Sequence, residues 1–166
     1  MRRIGIVAVL ATLLMAFSAS AALAVAPTLV TQTGGLHVCE GSALDAIASK
    51  TDGAILTATG EVCGAGRTAT ATLEATAEAT VGCVTRGGGE PQGLEEAETG
   101  ATGEVTFRTR SGRGTFDVST EEVTIEDFDF ECPSAQQTEV IVGDLTFTNI
   151  TLRITSQTGT LTATCP

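Results

Sequence analysis

A two-residue alternation of apolar and polar side chains runs through the middle of the chain, from Arg67 to Cys83. Every odd position from Ala69 onward is apolar, and the even positions are mainly threonine and glutamate. In a helix these apolar side chains would surround the whole cylinder, whereas in a strand they all lie on one face. Threonine also favours the extended backbone because it is branched at Cβ. The segment therefore predicts one long strand, with Leu73, Val81 and Cys83 buried and the threonine and glutamate face exposed.

Shorter segments with the same alternation predict further strands on both sides of this one. They are residues 36–39, 54–62, 104–110, 115–120, 122–132, 145–154 and 161–165. The apolar phase slips by one residue at 126–127 and again at 148–149, which is typical of a β-bulge. Residues 84–103, rich in glycine and glutamate, predict a long loop. Several strands are separated by turns that contain glycine, at 63–66, 111–114 and 158–159.

The spacing of these segments indicates the fold class. About nine short strands, with turns roughly every 8–12 residues, predict an all-β protein, an antiparallel β-sandwich of the Greek-key, immunoglobulin-like kind. A Greek-key β-barrel is the alternative. Residues 25–53 form an N-terminal lead with the first strand, and residues 54–166 form the sandwich core of the same domain. Within the lead, residues 42–49 fit either a short helix, with Ser42 and Asp45 as a capping box, or an irregular loop.

The first 24 residues have the three parts of a secretory signal peptide. Arg2 and Arg3 form a basic start, and residues 4–17 form an apolar run that is short for a membrane span. The small residues at 22–24 form a cleavage pattern. We expect cleavage after Ala24 and a secreted, extracellular protein.

The charge of the chain restricts the partners that it can bind. The formal net charge is −11, from 20 acidic and nine basic residues, and loss of Arg2 and Arg3 with the signal peptide makes it more negative. Such a surface repels phosphate backbones and anionic lipids, so we expect neither nucleic-acid binding nor membrane insertion after cleavage. An extracellular or envelope protein fits better as a partner, and the sequence does not identify which one.

Five cysteines in an exported chain predict disulfides and one odd cysteine. Cys83, Cys132 and Cys165 share the apolar phase of their segments and should point inward. Cys39 and Cys63 are out of phase and adjoin glycine turns. Because inward cysteines on facing sheets can bridge across a core, we predict the pairs Cys83–Cys132 and Cys39–Cys63, with Cys165 left over.

A set of motifs extends over roughly residues 55–165. It consists of glycines at 60–66, CVTRGGGEPQG at 83–93, the pair Cys132-Pro133 and FTNITL at 147–152. This set resembles a group of uncharacterised secreted actinobacterial proteins in which a Thr/Ala-alternating strand ends in a cysteine and a C-T-N-P-G-G-N-x-x-P-G loop follows. The resemblance implies a secreted β-domain and no particular chemistry. It also includes a terminal cysteine, which makes Cys39–Cys165 the rival to the pair Cys39–Cys63.

Few residues offer catalytic or metal-binding chemistry. A catalytic triad needs a base, and the one histidine, His37, adjoins a predicted edge strand where a solvated surface histidine is expected. No C-x-x-C occurs for zinc, and the GGG at 87–89 lacks the lysine of a phosphate loop. The best remaining candidates are three alternating carboxylates, Asp127, Asp129 and Glu131. They could bind calcium, although the same alternation fits a solvated strand face. No cofactor is indicated.

The aromatic residues bear on function as well. The chain has no Trp and no Tyr, whereas sugar-binding modules use exposed rings of these two types, so stacking on carbohydrate is disfavoured. We therefore expect a non-enzymatic, disulfide-braced β-domain with a structural or protein-binding role outside the cell, acting through loops such as 84–103. One alternative is a small-ligand carrier that resembles acidic actinobacterial chromoprotein apoproteins. Another is a carboxylate-based hydrolase.

Overall fold

The computed structural model describes residues 29–40, 48–50 and 54–165, and strands dominate this part of the chain. The described strands are β1 (Leu29–Gly34), β2 (His37–Val38), β3 (Ala48–Lys50), β4 (Ile55–Cys63), β5 (Thr68–Thr85), β6 (Gln92–Arg108), β7 (Gly114–Ser119), β8 (Gln137–Ser156) and β9 (Gly159–Cys165). A 3-10 helix at Ile125–Asp127 is the one helical element among them. The predicted signal peptide with its Ala24 cleavage site, and most of the segment 42–49, lie outside the described residues.

The strands form two antiparallel sheets that pack against each other. In the larger sheet the strand order is β1-β9-β8-β5-β6. In the smaller sheet β4 is central, with β7 along one edge and with β2 and β3, one after the other, along the opposite edge. The prediction of an all-β antiparallel sandwich is confirmed. Residues 29–34 were predicted as part of an irregular lead, but they are strand β1, which pairs with β9.

The long alternating segment is strand β5, and its predicted inward face is confirmed. Leu73 and Val81 are completely buried, and Cys83 is nearly so. On the opposite face Glu74 is exposed, as predicted. Three further side chains on that face are half-buried rather than exposed, because β6 and β8 flank β5 on both sides; they are Thr72, Thr76 and Glu78.

Strand β6 occupies most of the segment that was predicted as a long loop. That prediction is wrong: only residues 86–91 are irregular, and from Gln92 onward the chain pairs with β5 over the whole length of β6. Ala97, Ala101 and Phe107 lie on its inner face and alternate with exposed residues. The alternation is difficult to recognise in the sequence, because its small and acidic residues do not form a clear pattern of apolar and polar positions. The strand forms because β5 offers it an edge to pair with.

The main core lies between the two sheets. It includes Leu56, Val62 and Phe116 from the smaller sheet and Leu73 and Leu152 from the larger one. Strand β5 has 18 residues and β4 has nine, so they extend over about 60 Å and about 30 Å. The smaller sheet therefore covers only part of the larger one.

The rest of the larger sheet is covered by residues 121–132, here called the covering segment. Its Val123 and Phe128 belong to a second core with Ala77, Ala79 and Val81 of β5. The sequence predicted a strand at 122–132, and this is wrong. The one β-type pairing in this part of the described chain is an isolated bridge between Val123 and Ala54.

The two predicted bulges have different outcomes. At 126–127 the chain forms the 3-10 helix instead, because the carboxylate of Asp127 accepts hydrogen bonds from the backbone nitrogen and Oγ1 of Thr124, at 2.7 and 3.0 Å. At 148–149 a bulge is present: the register of β8 against β5 shifts there, and Asn149 has a φ of 50°. Asparagine is one of the few residues besides glycine that adopt this conformation readily.

Two disulfides are present, Cys83–Cys132 and Cys39–Cys63, which are the pairs predicted from the sequence. The first joins β5 to the end of the covering segment rather than to a strand of the facing sheet. The second joins the residue after β2 to the end of β4 and excludes the rival pair Cys39–Cys165. Cys165 is buried and belongs to neither bridge.

Candidate functional site: an arginine cleft

The structure does not assemble the predicted calcium ligands. Asp127, Asp129 and Glu131 do not share the face of a strand, because residues 122–132 do not form one. Asp127 is engaged with Thr124 at the start of the 3-10 helix. In the described part of the chain, no group of three His, Cys, Asp or Glu residues is placed to hold a metal ion. The structure therefore does not bring the three calcium candidates together as a group in this part of the chain.

The other sequence candidates also lie apart from one another. His37 is exposed in β2, and its Nδ1 donates a hydrogen bond to the carbonyl oxygen of Gly35 at 2.9 Å. The predicted binding loop at 84–103 is reduced to residues 86–91, where Thr85 closes a turn by donating to the carbonyl of Gly88.

A cleft lined by arginine lies at the hairpin between β6 and β7. Arg110 and Arg113 exchange two backbone hydrogen bonds, of 2.8 and 3.0 Å, around Ser111 and Gly112. These two central residues have φ values of 54° and 77°, as a type I′ turn requires. Beside this turn is an open cleft of about 650 Å³, here called the arginine cleft. It is lined by Glu61, Arg108, Thr109, Arg110, Ser111, Arg113, Gly114 and Thr115.

One arginine of the cleft forms a bidentate ion pair. Arg113 donates from Nε to Oε1 of Glu61 at 2.5 Å and from Nη2 to Oε2 at 2.9 Å. Glu61 lies on β4 opposite Thr115 of β7, so the pairing of these strands brings the two charges together. Because of this hydrogen bonding to Glu61, and because of the negative charge there, the pKa of Arg113 is raised above its ordinary value.

Backbone contacts bring a fourth arginine to the same end of the molecule. The backbone nitrogen of Thr109 donates to the carbonyl oxygen of Arg67 at 3.0 Å, and its Oγ1 donates to the carbonyl oxygen of Gly66. The hairpin tip is thus fixed against the turn between β4 and β5. Arg67, Arg108, Arg110 and Arg113 are all exposed.

The opposite end of the larger sheet is acidic. Several exposed carboxylates lie where β5, β6 and β8 are farthest from the hairpin tip; they are Glu90, Glu95, Glu96, Glu98 and Asp144. A chain with a formal net charge of −11 therefore has a cationic surface at one end. The sequence carries the signal for this surface in RTRSGR at 108–113, which holds three of the nine basic residues, but sequence reasoning did not single it out.

The lining of the arginine cleft defines what it can bind. Arg108 and Arg110 have no side-chain partner among the described residues, so their guanidinium groups can bind an anion. Glu61 is the one carboxylate of the lining, whereas a carboxylate-based hydrolase needs two. A small-ligand carrier needs an enclosed cavity, and this cleft is open to solvent. The charged groups of its lining are three guanidinium groups and one carboxylate.

No helix in the described residues has the length and apolar composition needed to cross a membrane. Comparison with protein-family models, with curated proteins and with solved structures finds no match to this chain.

Proposed function

We propose that this chain is a non-enzymatic, disulfide-braced β-domain that acts outside the cell in a structural or protein-binding role, and that its partner binds at the arginine cleft. The observation that carries this proposal is the grouping of four exposed arginines at one end of an acidic chain. The two disulfides support the location, because such bonds persist in oxidising compartments. The resemblance to secreted actinobacterial proteins supports it as well.

Arginine favours a partner that presents carboxylates. Its planar guanidinium matches a carboxylate with two parallel hydrogen bonds, and the pair between Arg113 and Glu61 has this geometry. Arg108 and Arg110 offer the same recognition to an incoming group. Arginine is also enriched at protein interfaces relative to the rest of the surface. A protein surface with a few exposed carboxylates is therefore the partner that fits.

The distribution of charge favours such a partner over a large polyanion. At physiological ionic strength an exposed charge acts over about 8 Å, so a carboxylate at the cleft responds mainly to the nearby arginines. A nucleic acid extends much farther, and its phosphates would meet the acidic remainder of the chain. The cleft therefore favours carboxylates on a protein or peptide over the phosphates of a nucleic acid.

The test is a titration with a fluorescent decaglutamate peptide, read by anisotropy in 0.02 M and 0.15 M salt. We expect the double variant Arg108→Glu/Arg110→Glu to bind at least about tenfold more weakly than the wild type, because two attractive charges become repulsive. The control Arg86→Glu/Arg153→Glu makes the same charge change at exposed arginines outside the cleft and should bind within about twofold of the wild type.

Two results would contradict the proposal. One is a wild type that does not bind the peptide at low salt, and the other is an equal loss in both double variants, which would reflect net charge alone. The extracellular location has its own test, since protein recovered from the culture medium should begin at Val25. An N-terminus at Met1 would refute export with cleavage.

A further inference from the structure

Strand β6 carries opposite charges at its two ends. Arg108 is its last residue and Arg110 follows in the hairpin, whereas Glu95, Glu96 and Glu98 lie near its start. These three carboxylates are exposed and are here called the acidic edge. Strand β6 is also the last strand of the larger sheet, so the acidic edge lies on the border of the molecule.

The backbone along the acidic edge is open to a partner. Thr102 accepts a hydrogen bond at 3.1 Å from the backbone nitrogen of Glu121, so its backbone groups face away from β5. Alternate residues of a strand direct their backbone groups to the same side, which places those of Glu96, Glu98 and Gly100 on this outer side too. No strand of the described chain pairs with them there.

The two charged ends of β6 cannot meet within one molecule. Arg108 follows Glu96 by twelve residues of continuous strand, and Arg110, two residues beyond the end of the strand, follows Glu98 by the same number. At the rise of an extended strand this is a separation of about 40 Å. Contact between these groups requires two copies of the chain.

We propose that the arginine tip (Arg108–Arg113) of one copy docks on the acidic edge of a second copy. The two sets of charges are opposite in sign and equal in spacing, because Arg108 and Arg110, like Glu96 and Glu98, are two residues apart. In an antiparallel approach Arg108 lies opposite Glu98 and Arg110 lies opposite Glu96. The contact is one between side-chain charges, because the backbone nitrogen and oxygen of Arg110 are already bonded to Arg113. The backbone carbonyls of the open edge are further acceptors for the guanidinium groups.

This contact joins different surfaces of the two copies, and each copy keeps one tip and one edge for the next. A head-to-tail contact of this kind extends into a chain of molecules unless its rotation closes a ring. Such assembly fits the structural role proposed above, and the inference depends on the arginine cleft assigned there. A hairpin tip against a strand edge is a small interface, so association is weak and decreases with added salt.

Sedimentation of the purified secreted chain over a range of concentrations tests this inference. The wild type should increase in average mass with concentration at low salt and return toward the monomer in about 0.5 M salt. The tip variant Arg108→Glu/Arg110→Glu and the edge variant Glu96→Arg/Glu98→Arg should each stay monomeric. An equimolar mixture of the two should associate again, since every acidic tip then meets a basic edge and every basic tip meets an acidic one.

The control Arg86→Glu/Arg153→Glu should associate like the wild type. A mixture of tip and edge variants that remains monomeric would overturn the inference, as would a wild type that stays monomeric at every concentration. If that monomeric wild type still binds decaglutamate and the tip variant does not, the proposed function stands and only the self-association fails. If the wild type binds no peptide either, both proposals fail.

Discussion

Removal of the Cys83–Cys132 disulfide should open one half of the sandwich before the other. The bridge joins β5 to the end of the covering segment. That segment is held otherwise by few backbone contacts: Val123 donates to the carbonyl of Ala54 at 3.0 Å, and Glu121 donates to that of Thr102 at 3.1 Å. It is also held by the packing of apolar side chains in the second core and by a hydrogen bond of 3.3 Å from the backbone nitrogen of Cys132 to the carboxylate of Glu139 in β8. Without the bridge, detachment of this segment no longer requires the rest of the fold to open.

The expected magnitude follows from the length of chain that each bridge closes. In the chain-entropy picture, the separation of 49 residues in Cys83–Cys132 contributes about 4 kcal/mol to the free energy of unfolding. The separation of 24 residues in Cys39–Cys63 contributes about 3.5 kcal/mol. For a domain of this size, a loss of about 4 kcal/mol lowers the thermal midpoint by roughly 10–15 °C. Removal of either bridge should therefore lower the global stability by a similar amount. The two variants should differ clearly in which residues lose protection from hydrogen exchange.

The assay compares the double variants Cys83→Ala/Cys132→Ala and Cys39→Ala/Cys63→Ala. Unfolding is followed by far-ultraviolet circular dichroism, because the chain has no Trp or Tyr. Hydrogen exchange by mass spectrometry then locates the change. In the first variant, peptides from 121–132 and 77–83 should exchange faster at temperatures where residues 55–63 stay protected. Uniform exchange over the whole chain, or a first variant as stable as the wild type, would refute the division into two cores.

Two further substitution pairs test the packing of β5 and β6. Leu73→Ala should lower the free energy of unfolding by about 3 kcal/mol, because Leu73 is fully buried. The substitution Glu74→Ala, at the exposed neighbour of Leu73, should change the free energy of unfolding by no more than about 0.5 kcal/mol. Equal losses of stability in the two variants would show that the two faces of β5 are misassigned. Gly103→Ala places a Cβ atom 2.0 Å from the backbone oxygen of Ser119 and should cost about 2 kcal/mol, whereas Gly100→Ala meets nothing within 4 Å and should be neutral. Denaturant unfolding measures both pairs, and a silent Gly103→Ala would contradict the close approach of the chains there.

Strand β5 could be predicted from the sequence because its two faces differ in kind. Alanine, leucine and valine fill one phase, and threonine and glutamate fill the other, so no other regular structure buries the apolar set as a unit. The end of strand β6 was predicted within the segment 104–110, but its first part, from residue 92 to 103, was not, because the inner face there has small residues such as Ala97 and Ala101 among glycines and glutamates. Its conformation depends on the edge of β5, which is a tertiary partner and leaves no local pattern.

The covering segment shows a signal that was present and misread. The slip of apolar phase at 126–127 fits a bulge, but Thr124 and Asp127 are also spaced as a capping box. The hydrogen bonds of Asp127 to Thr124 favour the tight turn over an extended backbone. The same misreading produced the calcium candidates, which depended on Asp127, Asp129 and Glu131 sharing one strand face. The arginine cleft was only partly visible in the sequence, since RTRSGR is local but Glu61 reaches the cleft through the fold.

The position of the two disulfides follows from the unequal length of the two sheets. The smaller sheet covers about half of the larger one, so the uncovered half of β5 needs a cover that comes from an irregular segment. Such a segment cannot form a ladder with the face of a sheet, and it is held by side chains and by Cys83–Cys132. Strand β2 has two residues in register with β4, and Cys39–Cys63 fixes it there. Each bridge thus joins a long strand to an element whose own backbone pairing is short, namely the covering segment with one isolated bridge and β2 with two paired residues.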